Sequence, residues 1–390
     1  MITVEAALSH VFELVTPLES ELVSLDNACG RVLSKAVTAR IDQPPFAASA
    51  MDGYAVCDEI FSPGVEFDLV GESAAGKRFA GFVENGQAVR IFTGAPMPQN
   101  CKRVIIQENV ERTGNKIRVI SVGDASTHVR SAGSDFKTGE SIKSPRVLKP
   151  ADIALFAAMN VPKLSVRRKP KVALISNGNE LVMPGQDPKE DQIIASNTFG
   201  LSALLRENGA VPSVLPIARD TILSLQTALK LAEGSDLIVT IGGASVGDHD
   251  LVAKAAFGIG FEQNFYKIAM RPGKPLMAGM LGNSALVGLP GNPVSAMVCG
   301  HIFLIPMINA LLGLEPQQRQ RRSAKITHDL AANGPREHYM RATLRPDGLC
   351  IAERQDSSLL SVLTQSNALA IRAPFAPAMP SGSEIEYIPI

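Results

Sequence analysis

An excess of charge of either sign is missing from the 390 residues: Lys plus Arg count 38 and Asp plus Glu count 38, so the formal net charge is zero. Without a basic excess nothing global recruits nucleic acid or an anionic membrane, and any anion binding has to come from local clusters. Zinc spacing is missing too. The five cysteines, Cys29, Cys57, Cys101, Cys299 and Cys350, are scattered, with no CxxC or Cys/His spacing that suggests zinc. Reduced, mostly buried thiols in a cytosolic protein fit that usage. The N-terminal "MITVEAALSHVFELV" has no basic flank and carries Glu5 and Glu13, so it reads as an amphipathic helix rather than a signal peptide. The longest apolar stretch, "AMVCGHIFLIPMINALLGL", is broken by His301, Pro306 and Asn309. A buried helix is expected there, not a membrane span. The six histidines make no HExxH pair, and no Gly-x-Ser-x-Gly elbow accompanies a triad. There is no internal repeat and no low-complexity tract.

What is present is the profile of a folded soluble protein, 45% hydrophobic and 19% charged, long enough for two to four domains. Ala6, Leu8, Val11, Phe12 and Val15 recur at helical spacing. "QPPFAASAMDGYAV" then breaks the pattern, because Pro44 and Pro45 forbid helix and "MDG" marks a turn. From about residue 50 to 145 short β-branched runs ("YAVC", "EFDLV", "AVRIF", "RVIIQENV", "KIRVI") alternate with Gly/Asn turns, which predicts an inserted β domain. "KPADIALFAAMNV" returns to helix, with Pro150 early and Asp152 in the first turn. It is expected to pack with the N-terminal helix as a discontinuous helical unit. From about 170 strands and helices alternate: "KVALIS", "NTFGLSALLRENG", "PSVLPIA", "TILSLQTALKLAEG", "DLIVTIGG", "SALVGLPG", then a long helix with Asn292 as N-cap and Pro293 in its first turn. Such alternation predicts a mostly parallel sheet covered on both faces. "EPQQRQRR" reads as a linker, and the last 70 or so residues as a second small β domain. The expected boundaries are 1–42 with 137–168 (helical), 43–136 (inserted β), 169–316 (three-layer α/β) and 317–390 (C-terminal β).

Ligands of open α/β sheets bind beyond the carboxyl ends of the strands. Three Gly-bearing loops fall there: "SNGNEL" (176–181), "GGASVGDHD" (242–250) and "PGNPVSA" (290–296). The second is not a Walker A loop, since no Lys-Ser/Thr follows, and not GxGxxG, since Ala244 replaces the middle Gly. Its Asp248 and Asp250 are either helix caps or, beside a phosphate loop, oxygen ligands for Mg2+; His249 between them reads as a solvated loop residue. "YKIAMRPGKP" spaces Lys267, Arg271 and Lys274 around a Pro-Gly turn. That is either a solvated basic edge or an anion clamp. Asp52 sits in the Asp-Gly turn and Thr93 in "FTGAPMP", both compatible with plain turn roles.

Taken in order, "PPFAASAMDGYAV", "FTGAPMP", "AGSDFKTGE", "SNGNEL", "TIGGASVGDHD", "RPGKP" and "LPGNPVSA" resemble the molybdopterin molybdenumtransferases, the family of bacterial MoeA and of the gephyrin E domain. The resemblance runs nearly end to end. It implies a multidomain fold with a discontinuous helical domain, an inserted β domain, an α/β pterin-binding domain and a C-terminal β domain. It implies a cytoplasmic homodimer with a shared active-site cleft, contacts with other molybdenum-cofactor biosynthesis proteins, and no nucleic acid or membrane partner. The implied reaction is Mg2+-dependent insertion of molybdate into adenylylated molybdopterin, releasing AMP. A non-catalytic pterin scaffold and a nucleotide-pyrophosphate hydrolase are the alternatives.

By position, the resemblance implies that Asp52 and Thr93 reach the site from the partner chain and that Asp135 is a further acidic position. Glu180, Asp220 and Asp250 would hold Mg2+ or place the attacking oxygen. Lys267, Arg271 and Lys274 would bind phosphates or molybdate, Pro290 and Pro293 would shape the pterin end, and Arg341 with Ser357 would complete an oxyanion site. Gly242, Gly243, Ser245 and Gly247 would bring backbone N–H groups to the pterin and its phosphate. Several positions depart from the family pattern: Asn179 where Asp is frequent, Arg271 where Lys is common, His249 in "GDHD", and no glycine beside Ser357.

Overall fold

The computed structural model describes residues 1–58, 62–243 and 251–390. They form two compact units: Leu22–Cys29 with Lys35–Ser165, and Met1–Glu21 with Gly30–Ser34 and Val166–Ile390. The first helix, α1 (Val4–Glu13), starts where Thr3 accepts a hydrogen bond from the Ala6 N–H at 3.1 Å, a side-chain cap for an otherwise orphan donor. It buries Val4, Ala7, Leu8 and Val11 in the core of the second unit. The helix near residue 150, expected from sequence to pack with it, belongs to the other unit. The apolar stripe was read correctly but its partner is the α/β core, information that periodicity does not carry.

In the first unit, strands β1 (Gly53–Val56), β2 (Glu66–Ser73), β3 (Gln87–Ile91), β4 (Arg103–Ile106), β5 (Val110–Thr113) and β6 (Lys116–Val119) make one sheet in the order β4-β1-β3-β2-β6-β5. Alternate residues feed two cores: Ala55, Val89, Ile91 and Val104 on one face, Tyr54, Val56, Ala88 and Ile105 on the other. Gly53 belongs to the sheet rather than to a turn, and a Cβ there would lie 2.1 Å from the Ile105 carbonyl oxygen. Helix α2 (Pro150–Ala158) begins as predicted, with the Asp152 carboxylate accepting the Lys149 N–H at 2.8 Å.

In the second unit, β7 (Lys171–Ser176), β8 (Val211–Val214), β9 (Leu237–Ile241), β10 (Phe261–Tyr266), β11 (Met270–Arg271), β12 (Met277–Leu281) and β13 (Ser284–Leu289) follow in the chain, with helices α3 (Asn197–Glu207), α4 (Ile222–Leu231) and α5 (Leu251–Phe257) between them. The main sheet runs β8-β7-β9-β13-β12-β10. The first four strands are parallel and the β12–β13 and β10–β12 pairs antiparallel. β9 and β13 are buried at every residue, as strands covered on both faces must be. Val172 and Leu174 pack into the layer of α1 and α3, Ala173 and Ile175 into that of α4 and α5. This is the three-layer arrangement expected, with an antiparallel edge that the sequence reading did not contain.

The long apolar helix is three pieces: α6 (Pro293–Cys299), a π-helical segment Gly300–Leu304, and α7 (Ile305–Leu311). Pro306 has no N–H for the preceding turn, and the wider π turn takes up the mismatch. The run Pro293–Leu311 is the one helical stretch among the described residues long and apolar enough to cross a membrane, and 83% of its apolar window is buried in the fold. Beyond it, β14 (Arg322–Lys325), β15 (Glu337–Arg345), β16 (Gly348–Ile351), β17 (Ala368–Arg372) and β18 (Glu384–Pro389), with the short α8 (Leu360–Thr364), give a sheet ordered β11-β15-β17-β18-β14, with β16 on β15. The segment read as a linker is tied down: Arg319 binds His301 Nδ1 and the Pro389 carbonyl, each at 2.9 Å. All five cysteines are free thiols, but only Cys101 and Cys299 are buried. Burial pushes those two up to about 12; the expectation of mostly buried thiols fails for Cys29, Cys57 and Cys350, which sit in less covered loops and strands.

His301 and His338 are 9% and 6% exposed. Burial first, then neighbouring arginines, lowers each to about 4. Between pH 4 and 6.5 the unfolded chain binds protons at these sites and the fold does not, so stability falls as pH drops through that window. Each contributes up to about 3 kcal/mol. Urea midpoints should therefore fall from pH 7 to pH 5, and less steeply in His301→Gln or His338→Gln; identical slopes in all three proteins would contradict this.

Candidate functional site

Strand order reverses between β7 and β9, because the chain leaves β7 for β8 on one side and then crosses to β9 on the other. Ligands of open α/β sheets bind at such switch points, and here the two flanking loops are "NGNE" and "GG". They are joined by Asn177, whose side chain is 3% exposed. With its amide nitrogen toward the carbonyls, Asn177 donates to Gly242 O at 2.9 Å and Ile241 O at 3.1 Å, and its oxygen accepts the Gly243 N–H at 3.1 Å. Gly242 and Gly243 have φ of +101° and +65°, which favours glycine. Each also passes too close for a side chain: a Cβ at Gly242 would lie 2.7 Å from the Asn177 carbonyl oxygen. Asn177 is not legible as a site residue from the sequence motifs; its adjacency to the first glycine of "NG" at the end of a buried strand is the available signal.

Asn179 and Asp220 clasp each other. The Asn179 N–H donates to Asp220 Oδ2 at 3.0 Å, and the Asp220 N–H donates to Asn179 Oδ1 at 3.1 Å. Arg219, also unforeseen, donates to the carbonyls of Asn179 (3.1 Å) and Leu181 (3.3 Å). Glu180 is exposed, and its carboxylate folds back over Gly178, within 2.6 Å of where a Cβ there would sit. Glu180 and half-buried Asp220 thus lie on clasped loops. Among the described residues no group of three His, Cys, Asp or Glu side chains is arranged to hold a metal ion; Glu180 and Asp220 each offer hard carboxylate oxygens from these loops.

The third loop continues the line. The Gly242 N–H donates to Leu289 O at 3.1 Å, a Cβ at Gly291 would lie 3.4 Å from Gly242 Cα, and Asn197 donates to Gly291 O at 2.7 Å. Pro290 is buried and Pro293 opens α6. Asn292 stands at the N-cap position without capping through its side chain; its amide donates instead to Ser357 Oγ at 2.9 Å, while the Ser357 carbonyl accepts the Val294 N–H at 3.0 Å.

Ser357 is held there by Arg341, which is 1% exposed. Its Nη1 and Nη2 donate to the carbonyls of Asp356 and Arg354, each at 3.0 Å. Burial lowers its pKa, with the Asp356 charge opposing and the Arg271 charge adding. Arg341 therefore organises the Ser357 loop from inside rather than presenting itself to an anion in solvent.

Lys267, Arg271 and Lys274 share one reversing loop, closed by Lys267 N–H to Leu276 O (2.9 Å) and Ile268 N–H to Lys274 O (3.1 Å). Lys267 occupies φ +69°, a conformation uncommon outside glycine, and its Nζ stands 4.7 Å from the Tyr266 ring centroid. Arg271 is exposed, in register with His338.

Asp52, Thr93 and Asp135 belong to the other unit. Asp52 Oδ1 accepts the Thr93 N–H at 2.7 Å and its Oγ1 at 2.8 Å, and these two bonds hold its carboxyl below the ordinary range. Asp135 is exposed. Ser245, Gly247, Asp248, His249 and Asp250 lie outside the described residues.

Three family models match in succession: the MoeA N-terminal region (domains I and II) over residues 2–160, the probable molybdopterin binding domain over 173–310, and the MoeA C-terminal region (domain IV) over 323–390. The molybdopterin molybdenumtransferase of Nostoc sp. is 34% identical, with 93% of this chain and 87% of that one covered. That of Haemophilus influenzae is also 34% identical, over 80% and 78% of the two chains. The chain belongs to the molybdopterin molybdenumtransferase (MoeA) family. The crystal structure of the molybdopterin biosynthesis MoeA protein from Pyrococcus horikosii superposes with a TM-score of 0.86 at 28% identity, covering 100% and 99% of the two chains. An aspartate in place of Asn179 would have nearly the same shape. An aspartate oxygen would accept the Asp220 N–H equally well, so Asn179 keeps the clasp and removes one negative charge beside Glu180 and Asp220.

Proposed function

We propose that this chain is a Mg2+-dependent molybdopterin molybdenumtransferase that takes adenylylated molybdopterin and molybdate and yields AMP and molybdenum cofactor. The observation that carries this reading is the unbroken line of loops from Asp220 and Glu180 through Asn177, Gly242, Gly291 and Asn292 to Ser357, laid across the sheet's switch point in a chain of this family. Both substrates are anions, and their mutual repulsion has to be offset by fixed positive charge. Lys267 and Lys274, with Arg271 as the exposed fork, supply it on a loop whose ends are tied. Glu180 and Asp220 suit Mg2+, which takes oxygen donors and usually retains waters and substrate phosphate; Asp250, outside the described residues, would be the third ligand by the family resemblance. Mg2+, when bound, supplies neutralisation of the phosphate charge. The Gly242–Gly243 turn brings backbone to the switch point with no side chain of its own, its N–H groups bonded to the Leu289 carbonyl and to the Asn177 side chain. Ser357, fixed by Asn292 and Arg341, closes the far end. We assign the chain to the cytoplasm as a homodimer, with Asp52 and Thr93 delivered by the second copy, Asp135 as a further acidic position, and other cofactor-biosynthesis proteins as partners.

Incubated with adenylylated molybdopterin and molybdate, the protein should release AMP with Mg2+ and stop when a chelator removes it. Glu180→Gln and Asp220→Asn should each slow release by about tenfold or more, and raise the Mg2+ concentration for half-maximal rate. Release that is indifferent to chelator and to both substitutions would refute the metal assignment.

A further inference from the structure

The Asp52–Thr93 contact occurs twice. Asp42 Oδ1 accepts the Thr138 N–H and the Thr138 Oγ1, each at 2.7 Å, as Asp52 Oδ1 accepts from Thr93 at 2.7 and 2.8 Å. Each threonine is followed by a left-handed glycine, Gly94 at φ +82° and Gly139 at φ +91°. In each case that glycine's N–H donates to the carbonyl three residues before the aspartate: Gly94 to Ser49 at 2.8 Å, Gly139 to Ala39 at 2.9 Å. Both carboxyls are held below the ordinary range, by the backbone bond first and the hydroxyl second, so both clamps persist through neutral pH.

The two clamps bracket "DQPPFAASAMD". Pro44 and Pro45 deprive it of donors for a regular strand, and flanking loops bind it instead. Gly133 N–H donates to Pro44 O, Asp135 N–H to Gln43 O, Met97 N–H to Ala47 O, and Ala50 N–H to His128 O, all at 2.8–2.9 Å. The first clamp thus fixes Thr138 on one side of Asp135, while the Asp135 N–H is itself bonded to the residue after Asp42. Asp135 keeps its backbone in this lattice and its side chain exposed.

We propose that Asp42 and Thr138 are positioning residues of the transferase reaction, which hold the 133–139 loop so that the Asp135 carboxylate is presented in one place. The proposal rests on the transferase reading and adds two residues to it. Neither touches substrate; they act through Asp135, as Asp52 fixes the Thr93 turn. The geometry makes oxygen position the first requirement of the clamp, and Asn and Ser keep the same acceptor and donor.

The test measures molybdate-dependent AMP release for Asp42→Ala, Asp42→Asn, Thr138→Val, Thr138→Ser, Asp135→Ala and the Asp42→Ala/Asp135→Ala double variant. Asp42→Ala, which removes both clamp bonds, and Thr138→Val, which removes the hydroxyl bond, should each lose about tenfold or more in rate, the size expected when a charge-assisted bond in a loop is removed. Asp42→Asn and Thr138→Ser should stay within about threefold of wild type. The double variant should be no slower than Asp135→Ala alone, since Asp42 acts through that carboxylate. Rates of Asp42→Ala and Thr138→Val within twofold of wild type would overturn the proposal, as would losses that multiply fully in the double variant. Thr138→Val preserves shape, so it decides the matter if Asp42→Ala fails to fold. A wild-type protein that releases no molybdate-dependent AMP would instead bring down the transferase reading itself.

Discussion

Asn177→Ala should lower stability by roughly 2 kcal/mol and remove most activity. The side chain is buried and makes three bonds: two to the carbonyls of Ile241 and Gly242 and one from the Gly243 N–H; among the described residues only the Ile241 carbonyl has a second donor, the Asn177 backbone N–H at 3.1 Å. Truncation leaves buried polar groups without partners, at about 1–3 kcal/mol in total, and frees two glycines whose conformational entropy the amide holds in check. Asn177→Asp should be as damaging although it is the same size, because a carboxylate cannot donate and its charge faces two carbonyl oxygens. Thermal melting and AMP release read the two effects. A midpoint shift of several degrees is expected, together with an activity loss larger than the fraction unfolded explains. Wild-type melting and turnover in Asn177→Ala would mean that the switch-point turn is held by something else.

Arg341→Lys should be nearly as harmful as Arg341→Met, with about 3 kcal/mol lost in each. One guanidinium spans two carbonyls, of Asp356 and Arg354, and a single ammonium cannot reproduce that fork. Hydrogen bonds from a charged group contribute about 1.5–3 kcal/mol each. The loop from 354 to 357 then loosens, and Ser357 leaves its place at Asn292. If Arg341 met the oxyanion directly, Lys would preserve charge and retain affinity for molybdate. Equal damage by Lys and Met, with turnover falling more than the molybdate KM rises, supports an organising role. Near-normal Arg341→Lys kinetics would restore the direct one.

These two residues show where sequence reading stops. The loops at the carboxyl ends of β7, β9 and β13 were legible because Gly and Pro break buried apolar runs at definite places. The β strands of the first unit were legible because Gly and Asn separate β-branched runs. Ridges and periodicity do not name partners, however, so the docking of α1 on the α/β core escaped. The antiparallel pair β10 and β12 escaped because "FEQNFY" is half polar. The π segment needed Pro306 to be seen inside a continuous helix. Arg341 was found by resemblance, but its burial and its carbonyl partners depend on residues thirteen to fifteen positions away. The duplicated Asp–Thr clamp is invisible as a repeat, since "ARID" and "SAMD" share one residue and their threonines lie 96 and 41 positions downstream.

The central claim is that AMP release is coupled to molybdate. The direct measurement is AMP formed from adenylylated molybdopterin and Mg2+, with and without molybdate, and with tungstate in parallel. The account predicts release that requires the oxyanion and a pterin product that carries the metal. AMP released at the same rate without any oxyanion would mark a pyrophosphate hydrolase, and tight pterin binding with no AMP at all would mark a scaffold; either contradicts it.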